Sequence, residues 1–193
     1  MTKHTSVFFS MRPGYVLAGL VLGLLLAGCG KNDSGSDTLA KVDACALVSA
    51  AMVAQLSPEL GAAGHPSSVT HSSNVSTCVW DDRAHHLAAL MLTVAPADPS
   101  GVAKGLTKGF ANMGYHIVSV TGLGDEAAAA IQTADPEHGL AAGVAVLAVR
   151  VGRRQLGFSP MQLVISGPGT PAFKRLKRLA AETVARLGAG RTN

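Results

Sequence analysis

The sequence predicts an α+β domain: a mainly antiparallel sheet with three helices packed on one face. Three observations carry that expectation. Apolar stripes of helical period run through residues 45–56, 102–113 and 173–187; short runs rich in Val, Leu and Ala, bounded by Gly or Pro, lie between them; and the resulting order is helix, two strands, helix, several strands, helix. Hydrophobic residues make up 48% of the chain but aromatics only 4%, so the core must be filled mainly by Val, Leu, Ile and Met.

Each element has its own signal. Asp43 is placed to cap a first helix in which Cys45, Val48, Met52 and Leu56 share a stripe, and Ser57-Pro58 stops it. The polar stretch "GHPSSVTHSSNVS" then leads to a short strand at 77–80, and "LAALMLTV" at 87–94 reads as a second strand ended by Pro96 and Pro99. Asp98 and Ser100 offer caps to a second helix that lines up Val102, Leu106, Phe110 and Met113, with Gly114 as terminator. Residues 115–120 alternate as a strand.

The stretch "GLGDEAAAAIQ" stays open between two readings. Four alanines after Asp-Glu favour a helix by propensity, whereas continuation from a glycine turn makes them a small-residue strand beneath a helix. Residues 140–151 are valine-rich and strand-like, and Gly152-Arg153 reads as a hairpin turn into 155–165, interrupted at Pro160. Thr170-Pro171 starts the last helix, with Phe173, Leu176, Ala180, Val184 and Leu187 on one face.

The amino-terminal segment has a different character. Residues 1–14 carry Lys3 and Arg12 and no acid, residues 15–26 are uninterrupted apolar sequence, and Ala27-Gly28 are small. These are the three regions of a secretory signal, and the apolar run falls short of the roughly 20 residues a membrane span needs, so it is expected to be removed. Met11 serves equally as a start, because "MRPGYVLAGLVLGLLLAGC" is a complete signal by itself.

"LAGC" at 26–29 resembles the lipobox of bacterial lipoproteins. The resemblance implies cleavage before Cys29, a diacylglyceryl group on its sulfur and acylation of the new amino terminus. One acyl chain binds a membrane only marginally; two or three hold it stably. Gly30 after the cysteine, in place of aspartate, implies by analogy within that class the periplasmic leaflet of the outer membrane where a cell has two membranes. The expected organisation is therefore a signal peptide at 1–28, a lipid-anchored flexible tether at 29–39 containing "GKNDSGSD", one disulfide-pinned domain at 40–188, and a tail at 189–193.

Cys45 and Cys78 remain. An exported pair reads as a disulfide, and closing a loop of about 34 residues is worth about 3.5 to 4 kcal/mol in the chain-entropy account. Two redox-active thiols would want a C-x-x-C spacing, which is absent. "VDACALVSAAMVAQL", "TCVWDD", "VTGLGDEA" and "LKRLAAETVARL" are together similar to a family of small exported lipoproteins of unknown function, found in actinobacteria and proteobacteria, over most of residues 40–188. That resemblance also implies the Cys45–Cys78 bond and a strand for the alanines after Gly124. It implies no catalytic residue.

Several chemistries lack their sequence signatures. Gly122, Gly124 and Ala127 fit a G-x-G-x-x-A dinucleotide fingerprint, but Asp125 and Glu126 would face the pyrophosphate and no acid follows about twenty positions on, so a turn needing glycine is expected. His85-His86 beside Asp81-Asp82 lack the spacing of a zinc motif and read as a surface loop; His65, His71, His116 and His138 are scattered. No G-x-S-x-G or S-x-x-K is present. No catalytic residue, metal site or cofactor is therefore expected, and the chain is not expected to be an enzyme.

Charge supplies the one surface with a functional reading. From Cys29 to Glu137 the chain carries five Lys or Arg against eleven acids, a net −6, while residues 138–181 carry seven Lys or Arg and no acid, a net +7. Arg150, Arg153 and Arg154 mark the hairpin, and Lys174, Arg175, Lys177 and Arg178 fill the first half of the last helix, where the helix dipole disfavours cations. A basic patch toward an anionic surface or acidic protein is expected; aromatic residues that would interleave with nucleic acid are absent. The leading expectation is a lipid-anchored, non-catalytic binding or structural module. A small-ligand sensor or accessory subunit with a pocket between sheet and helices is the alternative, and an unrecognised hydrolase the third.

Overall fold

The computed structural model describes residues 42–67, 74–110, 113–132, 143–161 and 163–189. A single turn of 3-10 helix, Cys45–Leu47, precedes α1 (Ala50–Leu56). β1 (His65–Pro66), β2 (Ser76–Asp81) and β3 (Ala88–Pro96) follow, then α2 (Val102–Phe110), β4 (Tyr115–Ser119), β5 (Glu126–Gln132), β6 (Gly143–Val151), β7 (Arg154–Ser159) and α3 (Pro171–Ala189). The seven strands form one antiparallel sheet in the order β1-β2-β3-β7-β6-β5-β4. The expected α+β class and mainly antiparallel sheet are what is observed.

The helices, however, lie on both faces of the sheet. Successive strand residues point to opposite sides, and the buried side chains sort accordingly. Ala127 and Ala129 of β5, Leu147 and Val149 of β6, and Leu156 and Phe158 of β7 pack with Phe173, Leu176, Leu179 and Ala180 of α3. Ala128 and Ala130 of β5, with Val146 and Ala148 of β6, pack instead with Val102, Leu106 and Phe110 of α2. α1 buries Met52, Val53 and Leu56 in the same cluster as α3. The expectation of three helices on one face is thus corrected to two and one. The reason is that β5 and β6 are apolar on both sides, and a sheet apolar on both sides needs a cover on both.

Other boundaries also differ from the expectation. The first helix is broken at Val48, which is extended (φ −122°, ψ 118°), because Ser49 starts a new helix: its Oγ accepts the Met52 N–H at 3.4 Å. Asp43 lies one residue before the N-cap, Ala44, and does not cap a helix as expected; its carboxylate accepts the Cys45 N–H at 2.9 Å in the turn that leads into the 3-10 helix. α2 is described as far as Phe110; Met113 lies outside it and is 42% exposed, and Gly114 turns with φ +72°. The alanines after Gly124 are a strand, and the last sheet strand ends at Ser159, before Pro160. β1 lies in what reads as a polar connection. Thr170 caps α3 as expected, accepting the Phe173 N–H at 3.2 Å.

Cys45 and Cys78 are bonded, with Cα atoms 5.0 Å apart across a sequence separation of 33. The bond ties the 3-10 turn to β2. Gly64 lies directly against it: a Cβ there would sit 2.5 Å from Cys78 Sγ and 2.5 Å from the Trp80 ring. The glycine is required by that close approach.

Candidate functional site: the basic face of the last helix

The seven cations expected to act together are divided by the fold. Glu126 and Arg150 are directly opposed on β5 and β6, and Arg150 Nη2 lies 3.5 Å from Glu126 Oε2. Both stand in register with Ala128 and Ala148, on the α2 face of the sheet. Arg150 is therefore separated from α3 by the sheet itself. Its partner Glu126 also accepts the Ala103 N–H at 3.3 Å, which places a carboxylate at the amino end of α2, where the helix dipole favours it. Arg150 belongs to that structural arrangement.

Arg175 is likewise committed. Its Nε donates to the Leu56 carbonyl at 3.0 Å, capping the carboxyl end of α1 and fastening it to α3. Arg153 and Arg154 sit at the β6–β7 turn; the Arg153 carbonyl accepts the Ala97 N–H at 2.9 Å. The turn is built as expected on Gly152, with φ +59°, and its N–H is held by Asp125.

Lys174, Lys177 and Arg178 are different. Lys174 and Arg178, one helical turn apart, are exposed on one stripe of α3, and Lys177 is half-buried on the flank toward the Gly122 turn, with Nζ 3.9 Å from where a Gly122 Cβ would be. Among the described residues, none of the three enters an ion pair. Arg178 also borders a groove of about 140 Å³ between α1 and α3, with Met52, Gln55, Arg175, Leu179 and Glu182. That volume is well below the roughly 300–1,000 Å³ of small-molecule sites. The sequence reading missed Met52, Gln55 and Glu182 as neighbours of the patch. For Glu182 a signal existed, since it lies four residues beyond Arg178.

The motifs set aside as chemistry have structural roles. Gly122 and Gly124 have φ +74° and +54°, and a Cβ on Gly124 would collide with the Arg150 carbonyl, so this is a turn as expected. His85 and His86 lie in the β2–β3 loop. Asp82 organises that loop by accepting the Ala84 and His85 N–H groups, and the Ala84 hydrogen bond above all holds its carboxyl below the usual carboxylate range. His85 Nδ1 is 3.3 Å from Asp82, and His65 Nε2 is 3.1 Å from Asp81. Among the described residues no group of three or more His, Cys, Asp or Glu is arranged to hold a metal ion. His71, His138 and Cys29, the expected attachment point, lie outside the described residues. No described helix is long and apolar enough to cross a membrane.

No protein-family model matches this chain, and neither the curated proteins nor the solved structures contain a match to it. Functional assignment therefore rests on the residues themselves.

Proposed function

We propose that this chain is an exported lipoprotein, acylated at Cys29, whose domain is a non-catalytic binding module of the cell envelope. In a cell with two membranes its place is the periplasmic leaflet of the outer membrane. The domain engages an anionic surface or acidic partner through the outward stripe of α3. The observation that carries this reading is the contrast among its cations. Arg150 pairs with Glu126 and Arg175 caps α1 through its Nε, whereas Lys174 and Arg178 are exposed on one stripe of α3 and, among the described residues, enter no ion pair.

The test follows from that contrast. In the unacylated chain, where no anchor holds it, reversing Lys174 and Arg178 together, K174E and R178E, should abolish salt-sensitive association with native envelopes while leaving thermal unfolding within a few degrees, because exposed charges away from caps contribute about 0.5 kcal/mol or less each. Association that survives the double reversal, or that ignores salt, overturns the basic-face reading. Mass spectrometry of the Cys29 peptide tests the anchor independently.

A further inference from the structure

We infer that the α3 stripe docks on the anionic headgroups of the same bilayer that holds Cys29, so that the domain lies on the membrane with α3 and α1 facing down. This deepens the lipid-anchored reading above and rests on it. Two observations point to the bilayer. The first is where the chain leaves the domain: Val42 is half-buried against the α3-side core, and the Cys45–Leu47 turn packs directly on α3. The attachment point therefore belongs to the helical layer that carries the basic stripe.

The second observation is the length of chain beyond that point. From Cys29 to Val42 there are thirteen peptide steps. A flexible chain of that length has a mean reach of about 20 Å, and about 45 Å when fully stretched. With packed layers about 10 Å apart, turning the domain over would lift the attachment about 25 Å off the bilayer and stretch the tether past its mean reach. With α3 down the distance to be bridged stays within that mean reach.

Charge agrees with this orientation. α3 carries Lys174, Arg175, Lys177, Arg178 and Arg186 against Glu182, and the exposed residues of α1 (Ala50, Ala51, Ala54 and Gln55) are uncharged; with the exposed Asp43 and Glu59 that flank α1 counted, the layer still carries more positive than negative charge toward an anionic leaflet. Each basic residue brought near such a leaflet raises the bound population about fivefold. The tether supplies the effective concentration that makes so few charges sufficient.

Lysine footprinting of the full acylated chain, in vesicles of phosphatidylcholine alone or with a third phosphatidylglycerol, tests the orientation. Lys174 should be acetylated at least about fivefold more slowly on the anionic vesicles, recovering in high salt, while the exposed Lys104 of α2 should react equally on both. Equal reactivity of Lys174 on both vesicles overturns the inference. So does protection of Lys174 that needs envelope protein to be added, an outcome that leaves the binding-module reading standing. A Cys29 peptide without acyl groups in native material overturns the anchored reading and this inference together.

Discussion

α2 and α3 cover opposite faces of one sheet by opposite means. Beneath α2 the sheet presents Ala128, Ala130 and Ala148, small side chains that let a nine-residue helix lie close, and the sheet itself supplies the helix cap through Glu126. Beneath α3 it presents Leu147, Val149, Leu156 and Phe158, which meet Phe173, Leu176 and Leu179 to make the larger core. α3 is capped from its own sequence by Thr170 and is fastened to α1 and, through the Cys45–Leu47 turn, to the disulfide. The difference separates support from presentation. On the α2 side Glu126 and Arg150 pair with each other, while the α3 side is held by apolar burial and carries Lys174 and Arg178 outside on one stripe.

Removing the disulfide attacks the α3 side and should have the largest effect. A Cys45→Ser, Cys78→Ser variant is expected to lose about 4 kcal/mol, from closure of the 33-residue separation in the unfolded chain, read as a lower urea midpoint. A loss below about 1 kcal/mol would mean that apolar packing alone positions the first helices. The α2 side should be sensitive to the reverse change, an added volume. Ala130 is fully buried under α2, so Ala130→Leu should cost about 1–3 kcal/mol by overpacking. If that variant is neutral, the close approach of α2 is not needed.

This division was only partly legible in the sequence. The fold class followed from periodicity, and the cap and core face of α3 from Thr170-Pro171 and the stripe of Phe173, Leu176, Ala180 and Leu187. The two-sided covering was signalled and passed over: "AAAAI" and "VAVLAV" are unbroken apolar runs, whereas a sheet with one wet face alternates. Alanine hid the signal, being too small to mark a core side by itself. The break at Val48 was hidden by a spacing of Cys45, Val48, Met52 and Leu56 that fits one continuous helix; only Ser49 within the stripe marks a second start. β1 is two residues long and has no period to read.

The candidate site was legible as composition but not as contacts. A net charge counts Arg150 and Arg178 alike, and nothing local ties Arg150 to a glutamate 24 positions away. That pairing depends on strand register, which places Glu126 opposite Arg150. The Arg175–Leu56 hydrogen bond spans 119 residues and is equally invisible along the chain. Long-range pairing decides which charges are left over, and the leftover charges are the ones available for function.

The smallest expected effect is on the approach to α2. Asp98 Oδ1 accepts both the N–H and the hydroxyl of Ser100 at 2.7 Å, and these hydrogen bonds, that from the Ser100 hydroxyl foremost, hold its carboxyl below the usual carboxylate range. A carboxyl whose folded pKa is depressed binds its proton less readily in the folded protein than in the unfolded one. Its contribution is therefore complete above the unfolded pKa, near 4, and is lost as pH falls through the lower folded value. Ser100→Ala removes the leading hydrogen bond, so it should lower stability near neutral pH by no more than about 1 kcal/mol and flatten the fall in stability as pH drops below about 4. The start of α3 is capped by the Thr170 hydroxyl, whereas the Glu126 carboxylate accepts at the start of α2, so α3 should show no matching acid-dependent loss, which amide exchange of the two helices below about pH 4 would reveal. Equal acid sensitivity of α2 and α3 would place the titrating groups in the shared sheet, and the contrast between an acid-capped supporting helix and a hydroxyl-capped presenting one would fail.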